Sequence, residues 1–128
     1  MSGKETKVKY LLDTNIIIYY LNGDNTAIDF IENNLHNSAI SSIVYLEILV
    51  YPYNEKQDKQ IRNFLNLFKI YDIDREIINM AINTYRAKKV KVADNLIGST
   101  AKIHNLTLVT RNVNDFNNMK LKILNIYE

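Results

Sequence analysis

The 128-residue chain has no cysteine, one proline, three glycines and two histidines. Without thiols it can form no disulfide, thiolate zinc site or cysteine nucleophile, and such a composition fits a reducing compartment. The scarcity of proline and glycine, with no serine-rich stretch, leaves no linker. One domain over residues 1–128 is therefore expected, with residues 1–7 as a flexible tail. No apolar stretch follows the charged start "MSGKETKVK", so no secretory signal is expected. No apolar run approaches the roughly 20 residues that a membrane span needs, so a cytoplasmic protein is expected. The formal charge of +2 is too small to announce a nucleic-acid binder by itself.

Hydrophobic residues make up 47% of the chain, enough for a real core. They are patterned alternately for strands and helices. "VKYLLD", "SAIS", "KIYDI", "LTLVT" and "LKILNI" read as short buried strands. "TNIIIYYL", "TAIDFIENNL", "SIVYLEILVY", "DKQIRNFLNLF", "DREIINMAINTYRAKK" and "ADNLIGSTAKIHN" read as helices. In the fourth of these, Ile61, Phe64, Leu65 and Phe68 fall at i, i+3, i+4 and i+7. Alternation of this kind predicts an α/β fold, with a mainly parallel sheet of about five strands flanked by helices. Ligands of such sheets gather outside the carboxyl ends of the strands.

Four acids fall at that edge. Asp13 ends the first strand, Glu47 lies in the helix after "SAIS", Asp94 opens "DNLIGSTA", and Asp115 follows "TLVT" by five residues. Asp13 and Asp94 also suit helix N-caps, and Asp115 suits an Asx-type turn. Glu47 sits among Ile43, Val44, Tyr45, Leu46, Ile48, Leu49 and Val50. A helix apolar all round is buried, so Glu47 would lie in the interior and need a partner such as a distant Arg, unless the helix is less buried than its composition implies. Clustered carboxylates raise one another's pKa, and a divalent cation relieves that. Oxygen-only ligands select Mg²⁺ or Mn²⁺ over zinc. The stretch "RAKKVK", residues 86–91, reads either as a solvated helix end or as a phosphate-facing cluster. "YPY" at 51–53 and Tyr19–Tyr20 read as packing residues or as a protein-contact surface.

In order and spacing, "LLDTNIIIYYL", "SSIVYLEIL", "VADNLIGSTA" and "LTLVTRNVNDF" resemble the signature blocks of PIN-domain proteins, in particular VapC-type toxins of bacterial toxin–antitoxin pairs. The resemblance runs from about residue 9 to the end of the chain. It implies a three-layer PIN-like fold and a metal-dependent endoribonuclease. Asp13, Glu47, Asp94 and Asp115 would be its catalytic, metal-binding acids, holding one or two Mg²⁺ or Mn²⁺ ions. Asn15, Thr110 and Asn112 match secondary positions. The resemblance further implies hydrolysis to 5′-phosphate and 3′-hydroxyl ends, a structured RNA such as tRNA or rRNA as substrate, an antitoxin partner and a homodimer. Arg86, Lys88, Lys89, Lys91 and Arg111 are candidates for contacts to RNA phosphates. Gly98 and Ser99 depart from the family's small apolar residues; Gly98 lowers helix stability and offers room for close packing.

Rival readings use the same edge differently. A receiver-like phosphoacceptor wants an early acidic pair and a lysine after the last functional strand, where this chain has one Asp in "KVKYLLDT" and an Arg in "LVTRN". A haloacid-dehalogenase-type phosphatase wants a second Asp where Asn15 stands. A PIN module that binds RNA or protein without cutting keeps every feature except the chemistry.

Overall fold

The computed structural model describes residues 7–128; the expected tail lies outside these apart from Lys7, which is exposed. Five strands form one sheet: β1 (Tyr10–Leu12), β2 (Ser38–Ser41), β3 (Lys69–Tyr71), β4 (Thr107–Val109) and β5 (Ile123–Leu124). Their order is β3-β2-β1-β4-β5, and every pairing is parallel. Six α-helices accompany them among the described residues: α1 (Thr14–Leu21), α2 (Asn25–Asn34), α3 (Ser42–Leu49), α4 (Glu55–Leu65), α5 (Arg75–Ala87) and α6 (Val92–Ile103).

Side chains on a strand alternate between faces, and Leu11, Leu12, Ile40, Leu108 and Val109 are all fully buried. Both faces of the sheet are therefore covered, as parallel sheets require. Ile16, Ile17, Val44, Ile97, Ala101 and Phe116 complete this core.

From β1 the chain builds outward through β2 to β3, then returns across the sheet to β4 and β5. The direction reverses between β1 and β4, which is where an open α/β sheet leaves its crevice. This order also separates the fold from receiver domains, whose sheets run 2-1-3-4-5, and removes that rival.

Helix boundaries follow local chemistry. Pattern alone starts α4 at Asp58, but Asn54 and Gln57 form a reciprocal capping box that starts it at Glu55. Pro52 follows α3 closely, as expected of a residue that cannot continue a helix. Two 3₁₀ stretches were not anticipated: a short one over Leu35–Asn37 and one over Val113–Met119 that buries Phe116 and Met119. Successive tight turns there carry no 3.6-residue period by which to recognise them.

The longer stretch leans on α6 at Gly98. A Cβ there would lie 2.5 Å from Met119 Cε and 2.6 Å from Met119 Sδ. Gly98→Ala gains about 1 kcal/mol in helix propensity, yet overpacking costs typically ~1–3 kcal/mol. Cε and Sδ are the flexible end of Met119 and can shift, so we expect a net change of no more than about 1 kcal/mol by chemical denaturation. Gly98→Ala with Met119→Ala should lose less than the two single changes summed, by at least ~0.5 kcal/mol. Strict additivity would mean that Met119 moves aside freely.

Candidate active site at the switch point

Asp13 leaves β1 beside β4. Its N–H donates to the Val109 carbonyl at 2.9 Å, so the ladder runs on into the site. Its side chain faces two ways. Oδ1 accepts from the Thr14 N–H at 2.8 Å and caps α1. Oδ2 accepts from the Thr110 hydroxyl at 2.8 Å. That hydroxyl also accepts from the Asn112 N–H at 3.0 Å and from Asn15 Nδ2 at 3.3 Å. One donor and two acceptor positions are all a hydroxyl has, and Thr110 uses all three. Asn15 Oδ1 is buried and has no hydrogen-bond partner among the described residues.

The other acids arrive from separate segments. Glu47, on α3, is exposed, as are its neighbours Leu46 and Val50. The buried glutamate expected from its apolar surroundings is thus corrected: α3 buries Val44 and Ile48 and leaves the opposite side open. The partner of Glu47 is the Thr14 hydroxyl, which donates to Oε1 at 2.6 Å. Thr14 escaped the sequence reading; the signal was its place directly after Asp13, at the start of α1.

Asp94 is not the cap of α6. Lys91 holds the cap position without a side-chain bond, and Asp94 lies in the first turn. Asp115 lies in the first turn of the 3₁₀ stretch, where its N–H donates to the Asn112 carbonyl at 3.1 Å. Neither carboxylate accepts a hydrogen bond from a described residue, so capping and turn-making do not account for them.

Burial, first of all, pushes the Asp13 carboxyl up from 3.8 to about 6; the bonds from Thr110 and Thr14 oppose this, and the charges of Asp94 and Glu47 add to it. Asp94 is raised by burial, then by Asp115 and Glu47, while Lys91 opposes. Asp13 thus feels Asp94 and Glu47, and Asp94 feels Asp115 and Glu47, so Asp94 links the acids of this edge. Among the described residues, no three His, Asp or Glu side chains stand close enough to hold an ion between them.

Two cavities meet here. One is lined by Lys88, Lys89, Val90, Lys91, Asp94, Asn114, Asp115, Asn118 and Met119. The other takes Arg111, Asn112, Val113, Asn114, Asp115, Asn125 and Glu128. Three lysines and Arg111 thus join the acids, whereas Arg86 lies against an apolar groove between α5 and α6. Tyr20 stacks on Phe64 and Tyr19 meets Tyr127 edge-on, so these two tyrosines serve packing. Tyr51 is exposed beside Tyr53. With Ile18, Asn22, Glu47 and Ile48, these two line a further groove.

A doubly wound, all-parallel sheet with its crevice at the switch point is a recognised α/β class, and here that crevice is edged by acids. A model of the PIN domain matches residues 10–121. The chain is 33% identical over 125 residues to the ribonuclease VapC1 of Methanocaldococcus jannaschii, covering 94% of this chain and 88% of that protein. It superposes on a chain of a toxin–antitoxin complex from Klebsiella pneumoniae with a TM-score of 0.83 at 32% identity, covering 94% and 99% of the two. For VapBC2 from Rickettsia felis, solved with a fragment of its promoter DNA, the TM-score is 0.77 at 27% identity, covering 92% and 98%. The chain belongs to the PIN-domain family, among its VapC-type members.

The raised Asp13 carboxyl fixes a pH dependence. Below 3.8 the native and unfolded states both carry the proton. As pH rises toward 6 the unfolded chain releases it first, so native stability falls through this window. The loss totals about 3 kcal/mol, at ~1.4 kcal/mol for each tenfold in proton affinity. In EDTA, the stability of Asp13→Asn relative to wild type should therefore climb between these pH values and level off above. A pH-independent difference would mean that Asp13 titrates as an ordinary carboxyl; any fixed offset belongs to the altered Thr110 bond.

Proposed function

We propose that this protein is a metal-dependent endoribonuclease acting as a single domain in the cytoplasm, and that it is the toxin of a bacterial toxin–antitoxin pair. The observation carrying this reading is the set of four acids from four segments, two of them free of any structural hydrogen bond. Kinship with a protein named as a ribonuclease supports it. The substrate would be a structured RNA, tRNA or rRNA, recognised by shape and splayed bases.

The donor set suits a hard cation. Its donor atoms are oxygens, Asp94 is repelled by Asp115 and Glu47, and the buried Asn15 Oδ1 has no partner among the described residues. Asp13, Glu47, Asp94 and Asp115 would hold one or two Mg²⁺ or Mn²⁺ ions. When bound, such an ion supplies activation of water and neutralisation of phosphate charge. The residues themselves do the positioning. Thr110 fixes Asp13, and Thr14 fixes Glu47. Asn112 and Asn15 hold the Thr110 hydroxyl in turn. Lys88, Lys89 and Lys91 attract the RNA backbone to the same edge.

The groove of Ile18, Ile48, Tyr51 and Tyr53 beside Glu47 supports a protein partner, which we take to be the antitoxin. The apolar groove of α5 and α6 supports a homodimer. No described helix is long and apolar enough to cross a membrane. A second reading, a PIN module that binds RNA without cutting it, draws on the absence of three close acids among the described residues.

Asp94→Asn decides between them. Its carboxylate accepts no hydrogen bond from a described residue, and burial and the neighbouring acids disfavour its charge, so melting in EDTA should be unchanged or slightly higher. Mg²⁺-dependent cleavage of total RNA should fall by at least ~100-fold, the upper end of what even an outer-shell partner costs. Cleavage at the wild-type rate would remove Asp94 from the site; no cleavage by wild type would favour the silent module. In bacteria, expression without a partner should arrest growth and Asp13→Asn should relieve it. Equal toxicity of the two proteins would defeat the toxin reading.

A further inference from the structure

Arg111 has an unusual setting. Its guanidinium carbon lies 4.7 Å from the centre of the Tyr127 ring and 5.6 Å from that of Tyr19. The two rings meet edge to face at 5.5 Å. The Tyr127 hydroxyl donates to Asp24 Oδ2 at 2.7 Å, and the same carboxylate oxygen accepts from the Ala27 N–H at 3.0 Å to cap α2. The cradle is thus built from α1, the N-terminus of α2 and the end of the chain. Asp24 feels the charge of Arg111, yet no carboxylate lies within 4.0 Å of it: Arg62–Asp58 is the sole Lys or Arg pair with an acid at that distance among the described residues. An exposed arginine held by two aromatic faces keeps its hydrogen-bonding edge free for a ligand.

Its position says which ligand. Arg111 follows Thr110 and opens onto the cavity that reaches Asp115. The lysine cavity reaches Asp115 from elsewhere, and both share Asn114. A polyanion lying through both would cross the acids on the way. Glu128 also lines the Arg111 cavity, so that cavity is no general anion trap; a strand passing its mouth meets Arg111 alone as a cation.

We propose that Arg111, cradled by Tyr19 and Tyr127, binds a backbone phosphate of an RNA strand that runs from Lys88, Lys89 and Lys91 across Asp115. This rests on the RNA-cleaving reading of the acids. Tyr19 and Tyr127 are positioning residues for that contact. Both flanks of the cut site are then gripped by charge, and the strand's register over Asp115 is set by groups outside the acidic set.

The test measures binding, with Asp94→Asn as the parent so that the RNA stays intact. A labelled single strand of about 12 nucleotides, within the roughly 4–16 that single-strand grooves occupy, is titrated by fluorescence anisotropy over a range of salt. Arg111→Gln should weaken binding and lower the log–log salt slope by about 0.7, one phosphate contact to a single strand. Arg111→Lys and Tyr127→Leu keep the charge but lose the cradle; they should weaken binding with the slope retained. Combining Arg111→Gln with Lys89→Gln should add the losses, as for sites on separate flanks. An unchanged slope for Arg111→Gln, with or without a lowered melting temperature, would make Arg111 a structural tie between α1 and the chain's end and overturn the proposal. So would an absence of binding at about 50 mM salt, where phosphate contacts are strong. Failure of wild type to cleave RNA would instead strike the nuclease reading and leave the slope comparison standing.

Discussion

A hydroxyl donating to a buried carboxylate at 2.8 Å joins the ends of the two strands between which the sheet reverses direction. Much of the site depends on that bond. Asp13 is only 5% exposed, and an ionised carboxylate so placed needs hydrogen bonds to be tolerated. Thr110 supplies one of them, and through its two accepted bonds it also orders Asn15 on α1 and the turn at Asn112. From that turn the chain enters the 3₁₀ stretch that carries Asp115. One side chain therefore sets the first acid and the segment bearing the last. Repulsion among the acids is held in place by this frame, and the site is polarised before anything binds.

The elements were largely legible because each has its own period. β1, β2 and α1 were visible as apolar runs, and the acids lay where an α/β sheet exposes its strand ends. What escaped had no period to display. The 3₁₀ stretch Val113–Met119 looks like a polar loop with two apolar residues, until Phe116 and Met119 are seen against α6. Glu47 misled because seven apolar neighbours imply burial only if another layer covers them; Leu46 at 57% and Val50 at 67% exposure show that none does. Asp94 had two roles open to it in the sequence. An acid near a helix start invites a capping role, but Lys91 occupies the cap position and Asp94 is left with no structural task. The Arg111 cradle was beyond reach, because its parts are separated by most of the chain and only the fold assembles them.

Packing and chemistry meet at Gly98. The helix that begins beside Asp94 must come close enough to the 3₁₀ stretch for Met119 to lie where a side chain at position 98 would be. Asp94 and Asp115 are carried by these two elements, which approach closely at Gly98. Such closeness explains why a glycine is accepted inside a helix, where it costs about 1 kcal/mol relative to alanine.

The sheet itself closes with brevity. Its outer strands hold three and two residues, and the longer of them begins with an exposed lysine. An edge so short offers few free backbone groups to an incoming strand, and a charged margin discourages one further. Extension of this sheet by another chain is therefore disfavoured, and so is the strand-by-strand growth that leads to fibrils. Whatever joins this protein must do so side chain to side chain, on helical surfaces such as those left bare by Leu46 and Val50 or by Ile82 and Val92.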